Sequence, residues 1–122
     1  MTATIEPLPS DLVSLAVSGT PPALRITAVG EIDSSSAPLL RKHVDAVLDG
    51  GVHELTVDLD GVTFLDSAGL CVLAGAHRRA VAGRIRLRVL ASSRAVIRPL
   101  QITGLWDLLG AEQVEPGSGS AA

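Results

Sequence analysis

Aromatic residues are nearly missing from this 122-residue sequence: Phe64 and Trp106 are the only two, and tyrosine is absent. A chain with so few rings offers no platform on which nucleic-acid bases or sugars stack. An excess of one charge is missing too. Thirteen acidic residues stand against ten basic ones, a net charge of −3, which leaves no electrostatic footprint for nucleic acid. Cysteine occurs once, as Cys71. No disulfide closes within the chain, which fits a reducing, cytoplasmic compartment, and in an apolar run Cys71 reads as a small buried hydrophobe. No stretch approaches ~20 consecutive apolar residues, so nothing reads as membrane-spanning. The opening residues MTATIEPLPSD lack the basic start and apolar run of a signal peptide.

Recognisable catalytic machinery is missing as well. There is no GxxxxGK[ST] motif and no GxGxxG fingerprint. His43, His53 and His77 have neither HxxxH spacing nor a carboxylate cluster beside them, so no metal site is expected, and no cofactor. Ser67 sits at a strand-turn-helix corner, as a hydrolase nucleophile would. The elbow motif is GxSxG, and here Leu65 occupies the first glycine position, leaving only Ser67-Ala68-Gly69. A phospho-acceptor receiver domain would need an acidic pair after its first strand and a late lysine, and the sequence has neither.

What is present is organised around Leu55 to Ala82. Leu55, Val57 and Leu59 alternate with Thr56 and Asp58, the period of a half-buried strand. Asp60-Gly61 is expected to end that strand, with a short apolar segment, Val62 to Leu65, after it. Asp66-Ser67 then introduces a helix whose apolar stripe reads Leu70, Leu73, Ala74, His77 and Val81, with Gly83 just past its end. The unpaired N–H groups and partial positive charge of that helix start make it a natural seat for a phosphate.

The remaining chain reads as further strands and helices of one domain, 11–112, between a loose lead-in, 1–10, and a disordered Gly/Ser/Ala tail, 113–122. Leu12 to Val17 and Leu24 to Val29 are expected to form a hairpin across Gly19-Thr20-Pro21-Pro22. Gly30-Glu31-Ile32-Asp33 leaves the second strand. The serines Ser34 to Ser36 and Pro38 open a helix with the stripe Leu40, Val44, Val47 and Leu48, closed by Gly50-Gly51. Arg84 to Leu90 is a strand whose arginines lie on a solvated face, opposite Glu54 and Asp58 of the neighbouring strand. Ser92-Ser93 caps a helix running from Arg94 to Thr103 around Pro99, which should kink or shorten it. The type of Leu105 to Leu109 stays open.

Strands alternating with helices argue for parallel pairing and right-handed crossovers. A doubly wound sheet would have unbroken apolar strands; these alternate. The expected fold is therefore α/β, a mixed but mostly parallel sheet with helices mainly on one face, its strands laid down successively in one direction.

Gly30-Glu31-Ile32-Asp33 before a helix, then Val57-Asp58-Leu59 and Val62-Thr63-Phe64-Leu65-Asp66-Ser67-Ala68-Gly69-Leu70, resembles the STAS-domain anti-sigma factor antagonists of bacteria. The resemblance runs from about Leu12 to Leu109. It implies the STAS-like (βα) superhelix and a partner switch in place of catalysis. The unphosphorylated protein would bind an anti-sigma factor serine kinase and free the sigma factor, as in a stress response. Phosphorylation of Ser67 would end binding, and a serine phosphatase would reset it. By the same resemblance Asp66, Asp33 and Gly69 neighbour the phosphosite, and Gly30, Glu31, Ser34, Phe64, Leu65 and Ala68 meet the partner. The competing reading is a STAS module regulating a transporter or lipid-transport complex, or a signalling scaffold, with Ser67 serving only as a helix cap. Oligomeric state is not legible in the sequence.

Overall fold

The structure is a computed structural model that describes residues 13–117. Strands β1 (Val13–Thr20) and β2 (Ala23–Ile32) form the expected antiparallel hairpin, with Val17 opposite Ile26 and Thr20 opposite Ala23 across Pro21-Pro22. Both run further than their sequence pattern suggests. β2 does not end at Gly30: it continues through Glu31 to Ile32 because the next strand stays paired with it.

Helix α1 (Ala37–Asp49) buries Leu40, Val44, Val47 and Leu48, the predicted stripe, and ends at Gly50. Strand β3 (Glu54–Leu65) is where the sequence reading fails most usefully. Asp60-Gly61 does not terminate it. The strand passes straight through, and the irregularity is absorbed as two register shifts against β2, between Thr27 and Val29 and between Gly30 and Glu31. Gly61 is there for space: a Cβ on it would lie 2.8 Å from Cγ2 of Val29.

Helix α2 (Ser67–Gly83) turns a different face inward from the one expected. Gly69, Val72, Leu73, Ala76 and Ala80 are buried, whereas Leu70, Ala74 and His77 are half-buried and Val81 is exposed. Small residues face the sheet because the helix lies close to it. Cys71 falls on the outer side and is exposed, contrary to its reading as a core residue. Gly83 is still helical, and Arg84 takes the left-handed cap conformation at φ 57°.

Strand β4 (Arg86–Ala91) starts two residues later than expected, after the Arg84 cap. Helix α3 (Arg94–Ile102) continues past Pro99, and the Thr103 hydroxyl donates to the Pro99 carbonyl at 2.8 Å. The open segment proves to be a one-turn helix, α4 (Leu105–Leu109), followed by a short strand, β5 (Glu112–Gln113), parallel to β4. The expected disordered tail therefore starts too early. Val114 donates to the Ala91 carbonyl at 2.9 Å, and the Gly117 N–H donates to the Asp60 carboxylate at 2.8 Å. The lead-in 1–10 and the last residues, 118–122, lie outside the described residues.

The five strands stand in the sheet in chain order, β1-β2-β3-β4-β5, antiparallel at β1 and parallel elsewhere. Successive right-handed crossovers advancing in one direction all fall on one side of a sheet. The core lies there, with Ile26, Leu55, Val57, Leu59 and Val89 beneath the apolar faces of the helices. The opposite face is polar but less open than the alternation implies. Glu54 faces Arg86 at 3.9 Å, a predicted cross-strand pair, and Arg88 binds both carboxylate oxygens of Glu112 at 3.0 and 3.1 Å. Asp58 departs from expectation: it is 0% exposed, lies in register with Leu90 rather than an arginine, and has Arg25 as its counter-charge at 3.8 Å. One oxygen accepts the Asp60 N–H at 2.9 Å, while Oδ2 has no hydrogen bond.

Candidate functional site

The site is built where β2 and β3 stop together. Ile32 pairs with Leu65, and the Asp66 N–H donates to the Ile32 carbonyl at 3.1 Å. Each strand is followed by an aspartate and then a serine, Asp33-Ser34 and Asp66-Ser67, so two Asp-Ser pairs lie at adjacent strand ends.

The two aspartates do comparable work. Asp66 is the N-cap of α2: its Oδ1 accepts the N–H groups of Ala68 at 2.9 Å and Gly69 at 3.4 Å. Asp33 holds the turn into α1. Its Oδ1 accepts the Ser35 hydroxyl at 2.7 Å, the Ser35 N–H at 2.9 Å and the Ser36 N–H at 3.1 Å. The Ser35 hydroxyl, followed by the backbone donors, holds the Asp33 carboxyl below its ordinary range. The serine run is therefore not the cap it was expected to be. Ser36 occupies the N-cap position without a side-chain capping bond. Its hydroxyl is buried, donates to the Glu31 carbonyl at 2.7 Å and accepts the Asp33 N–H at 3.0 Å.

Ser67, the first residue of α2, is exposed. Because Asp66 caps the helix, Ser67 does not, and its hydroxyl has no hydrogen bond to any described residue. The cap-only reading of Ser67 is thereby overturned. A serine nucleophile needs a base within hydrogen-bond reach, and Ser67 is hydrogen-bonded to none among the described residues.

Gly69 is positioned by necessity. A Cβ on it would lie 2.3 Å from Cδ1 of Leu65 and 2.8 Å from Cγ2 of Ile32, so only a glycine lets α2 start this close to the strand ends. Of the residues expected to meet a partner, Glu31 and Phe64 are neighbours in register and both exposed, Phe64 by 47%. Ser34 is exposed, and Gly30 (φ 114°) and Ala68 are half-buried. Leu65 does not belong with them: at 5% exposure its side chain is in the core beneath Gly69.

Sequence reasoning passed over the ground beside the site. Ser34 and Ala68 line a cavity of about 280 Å³ between α1 and α2, together with Arg41 and Cys71. No pattern within α1 marks Arg41 for this role, which comes from the packing of α1 against α2. Among the described residues no group of side chains is suited to hold a metal ion, and no helix is long and apolar enough to cross a membrane.

A mostly parallel five-stranded sheet in chain order, with helices on one face, is the fold of a STAS domain. The STAS domain family model matches residues 14–121, and the chain belongs to that family. It is 34% identical over 88 residues to the anti-sigma-B factor antagonist of Bacillus subtilis (strain 168), covering 70% of this chain and 78% of that protein. To the anti-sigma-B factor antagonist of Listeria monocytogenes it is 34% identical over 92 residues, 74% of this chain and 79% of the other. Among solved structures, an anti-sigma factor antagonist from Mycobacterium paratuberculosis matches with a TM-score of 0.78 at 29% identity, over 91% of this chain and 92% of that one. Both curated relatives are named as antagonists of an anti-sigma factor.

Proposed function

We propose that the protein is an anti-sigma factor antagonist. In this reading the unphosphorylated form binds an anti-sigma factor that is also a serine kinase, the sigma factor is freed, and phosphorylation of Ser67 ends the binding until a serine phosphatase resets it. The reading places the protein in the cytoplasm, and it is supported by the name its relatives carry.

The observation that carries it is the division of labour at the start of α2. Asp66 does the capping, which leaves Ser67 with an exposed hydroxyl that the fold does not use. Such a hydroxyl can be modified without unfolding anything. A phosphate adds about −1.5 to −2 charge. The amides of Ala68 and Gly69 are already taken by Asp66, so the helix start has less to give the phosphate than its dipole suggests. The new charge joins Asp66 and the neighbouring strand end with Asp33, and it projects outward, toward a partner on Glu31, Ser34, Phe64, Gly30 and Ala68. Phe64 is the natural apolar anchor of that surface. A hundredfold loss of affinity takes only about 2.8 kcal/mol, and a misplaced charge at an interface can supply several.

The test is a pair of pull-downs from native cell extract with Ser67→Ala and Ser67→Asp as baits, read by mass spectrometry. Capture of a kinase-type anti-sigma factor by the alanine form and its loss from the aspartate form supports the switch. Equal recovery of a transporter subunit on both baits overturns it in favour of the module reading. Ser67→Ala should also leave the unfolding free energy within about 0.5 kcal/mol of the parent, since no cap is lost.

A further inference from the structure

Beyond the phosphosite, a groove runs between α1 and α2. The cavity of about 280 Å³ beside Ser34 and Ala68 joins a second of about 440 Å³, and Arg41 and Val72 line both. The second is walled by Arg41, Asp45, Arg78 and Arg79 around Gly75 and Ala76. Arg79 is neutralised there by hydrogen bonds to Asp45, at 2.8 Å, and to Asp49. Arg41 and Arg78 are not: neither makes a hydrogen bond or ion pair with a described residue. Yet their guanidinium groups converge from two helices. A Cβ on Gly75 would lie 3.7 Å from Nη2 of Arg41 and 3.8 Å from Nη2 of Arg78.

Two cations gathered over one glycine repel each other. An anion between them removes the repulsion and gains charge-assisted hydrogen bonds from both forks. The shape of the groove says what bears the anion. A lone ion would use only the arginine end, whereas the groove continues along α2 from Gly75 to Ala68, about 10 Å at 1.5 Å per residue. It is lined on the way by Val72, Ala37 and Pro38, and it ends at Ser34 and Ala68. An extended chain segment fits such a path.

We infer that this groove receives a segment of the anti-sigma partner carrying an aspartate or glutamate whose carboxylate seats between Arg41 and Arg78. The inference rests on the proposed function for its occupant, and on the convergence of the arginines for its site. The docked segment continues the interface of Ser34 and Ala68 along the helices, so the partner grips the protein at a place the phosphate does not reach.

The site and the occupant are tested separately. For the site, Gly75→Glu supplies a carboxylate within the chain and Gly75→Gln an uncharged control of the same length. At low salt the glutamate variant should melt about 2–5 °C above the glutamine variant, and the gap should close at about 1 M salt, where the Debye length is near 3 Å. Equal midpoints at low salt overturn the arginine site. For the occupant, the probe is the anti-sigma factor captured by the Ser67→Ala chain, titrated calorimetrically with full-length variants whose folding is checked by circular dichroism. Arg41→Glu and Arg78→Glu should each weaken binding about tenfold or more, and Gly75→Glu should weaken it where Gly75→Gln does not. Unchanged affinity in the Arg41→Glu/Arg78→Glu double variant overturns the occupant while leaving the switch intact. Failure of the Ser67→Ala chain to capture any anti-sigma factor overturns the switch and this occupant together, and the melting comparison then decides the arginine site alone.

Discussion

Two of the glycines of helix α2, Gly69 and Gly75, are not distinguished by chemistry alone, and the structure requires different outcomes when each becomes alanine. At Gly69 the new methyl would sit 2.3 Å from Cδ1 of Leu65 and 2.8 Å from Cγ2 of Ile32. Ordinary carbon contacts begin near 3.5 Å. Leu65 can swing its terminal methyl aside. Ile32 cannot do the same, because Cγ2 is bonded to its Cβ, its χ1 is stiff, and its side chain is fully buried. The helix start must therefore lift away, straining the Asp66 cap. Overpacking of this kind costs about 1–3 kcal/mol, against a gain of about 1 kcal/mol from replacing a helical glycine, for a net loss of about 0–2 kcal/mol. At Gly75 the nearest atoms to the same methyl lie 3.7 and 3.8 Å away, both at mobile arginine tips, so only the gain remains. The two variants should thus differ by about 1–3 kcal/mol, or about 4–12 °C in melting midpoint at about 4 °C per kcal/mol for a domain of this size. Thermal melts followed by circular dichroism decide the matter. If both alanines raise the midpoint by similar amounts, the close approach of α2 to the strand ends is wrong, and so is the placement of Ser67 that depends on it.

Three further outcomes are expected. Asp66→Ala should cost about 1 kcal/mol in urea denaturation, because two helix-start amides lose their acceptor, and Asp66→Asn should recover most of that. Asp33, whose carboxyl is held low chiefly by the Ser35 hydroxyl, binds fewer protons folded than unfolded in the acid range. Its contribution is complete above its unfolded value near 4 and is lost as pH falls through the lower folded value, so Asp33→Asn should flatten the acid side of the stability-pH curve and leave the neutral region's slope unchanged. Arg25→Met should cost about 3 kcal/mol by leaving the buried Asp58 carboxylate without its counter-charge. Adding Asp58→Asn should restore part of this, and strict additivity of the two in urea melts would refute the pairing.

Legibility in the sequence followed a simple rule. Where a residue's role depends on its own helix or strand period, it could be read. The α1 stripe, the hairpin, the one-sided crossovers and the Asp-Ser-x-Gly-Leu corner were all visible. Where the role depends on a neighbour across the sheet, local rules misled. Asp60-Gly61 has the composition of a turn, but pairing with β2 carries β3 through it and leaves Gly61 filling a tight spot beside Val29. Hydrophobicity pointed to Leu70 and Val81 as the inner face of α2, whereas close packing selects Gly69, Ala76 and Ala80. Asp58 alternated like a solvated residue, yet it is enclosed beside Leu90. At the site, the motif located Ser67 but not the cap, since Asp66 and Ser67 are both good capping residues and only geometry says which accepts the amides. The arginines of the groove were illegible because Arg41 and Arg78 belong to different helices, and no pattern within either one joins them.

The order of the strands has a consequence for how the protein comes into being. Every strand lies beside the one made just before it. The hairpin of β1 and β2 needs only a local turn, and each later strand needs a single crossover to reach an edge that already exists. No closure spans the whole chain, so the entropy of loop formation is paid in small instalments. On a ribosome, where the N-terminal end emerges first, the sheet can grow in the order of synthesis, each new strand meeting a finished template. Low separation between paired segments also favours fast folding. The two Asp-Ser corners are completed when β3 and α2 have joined, so the candidate site is assembled before the last third of the chain has been made.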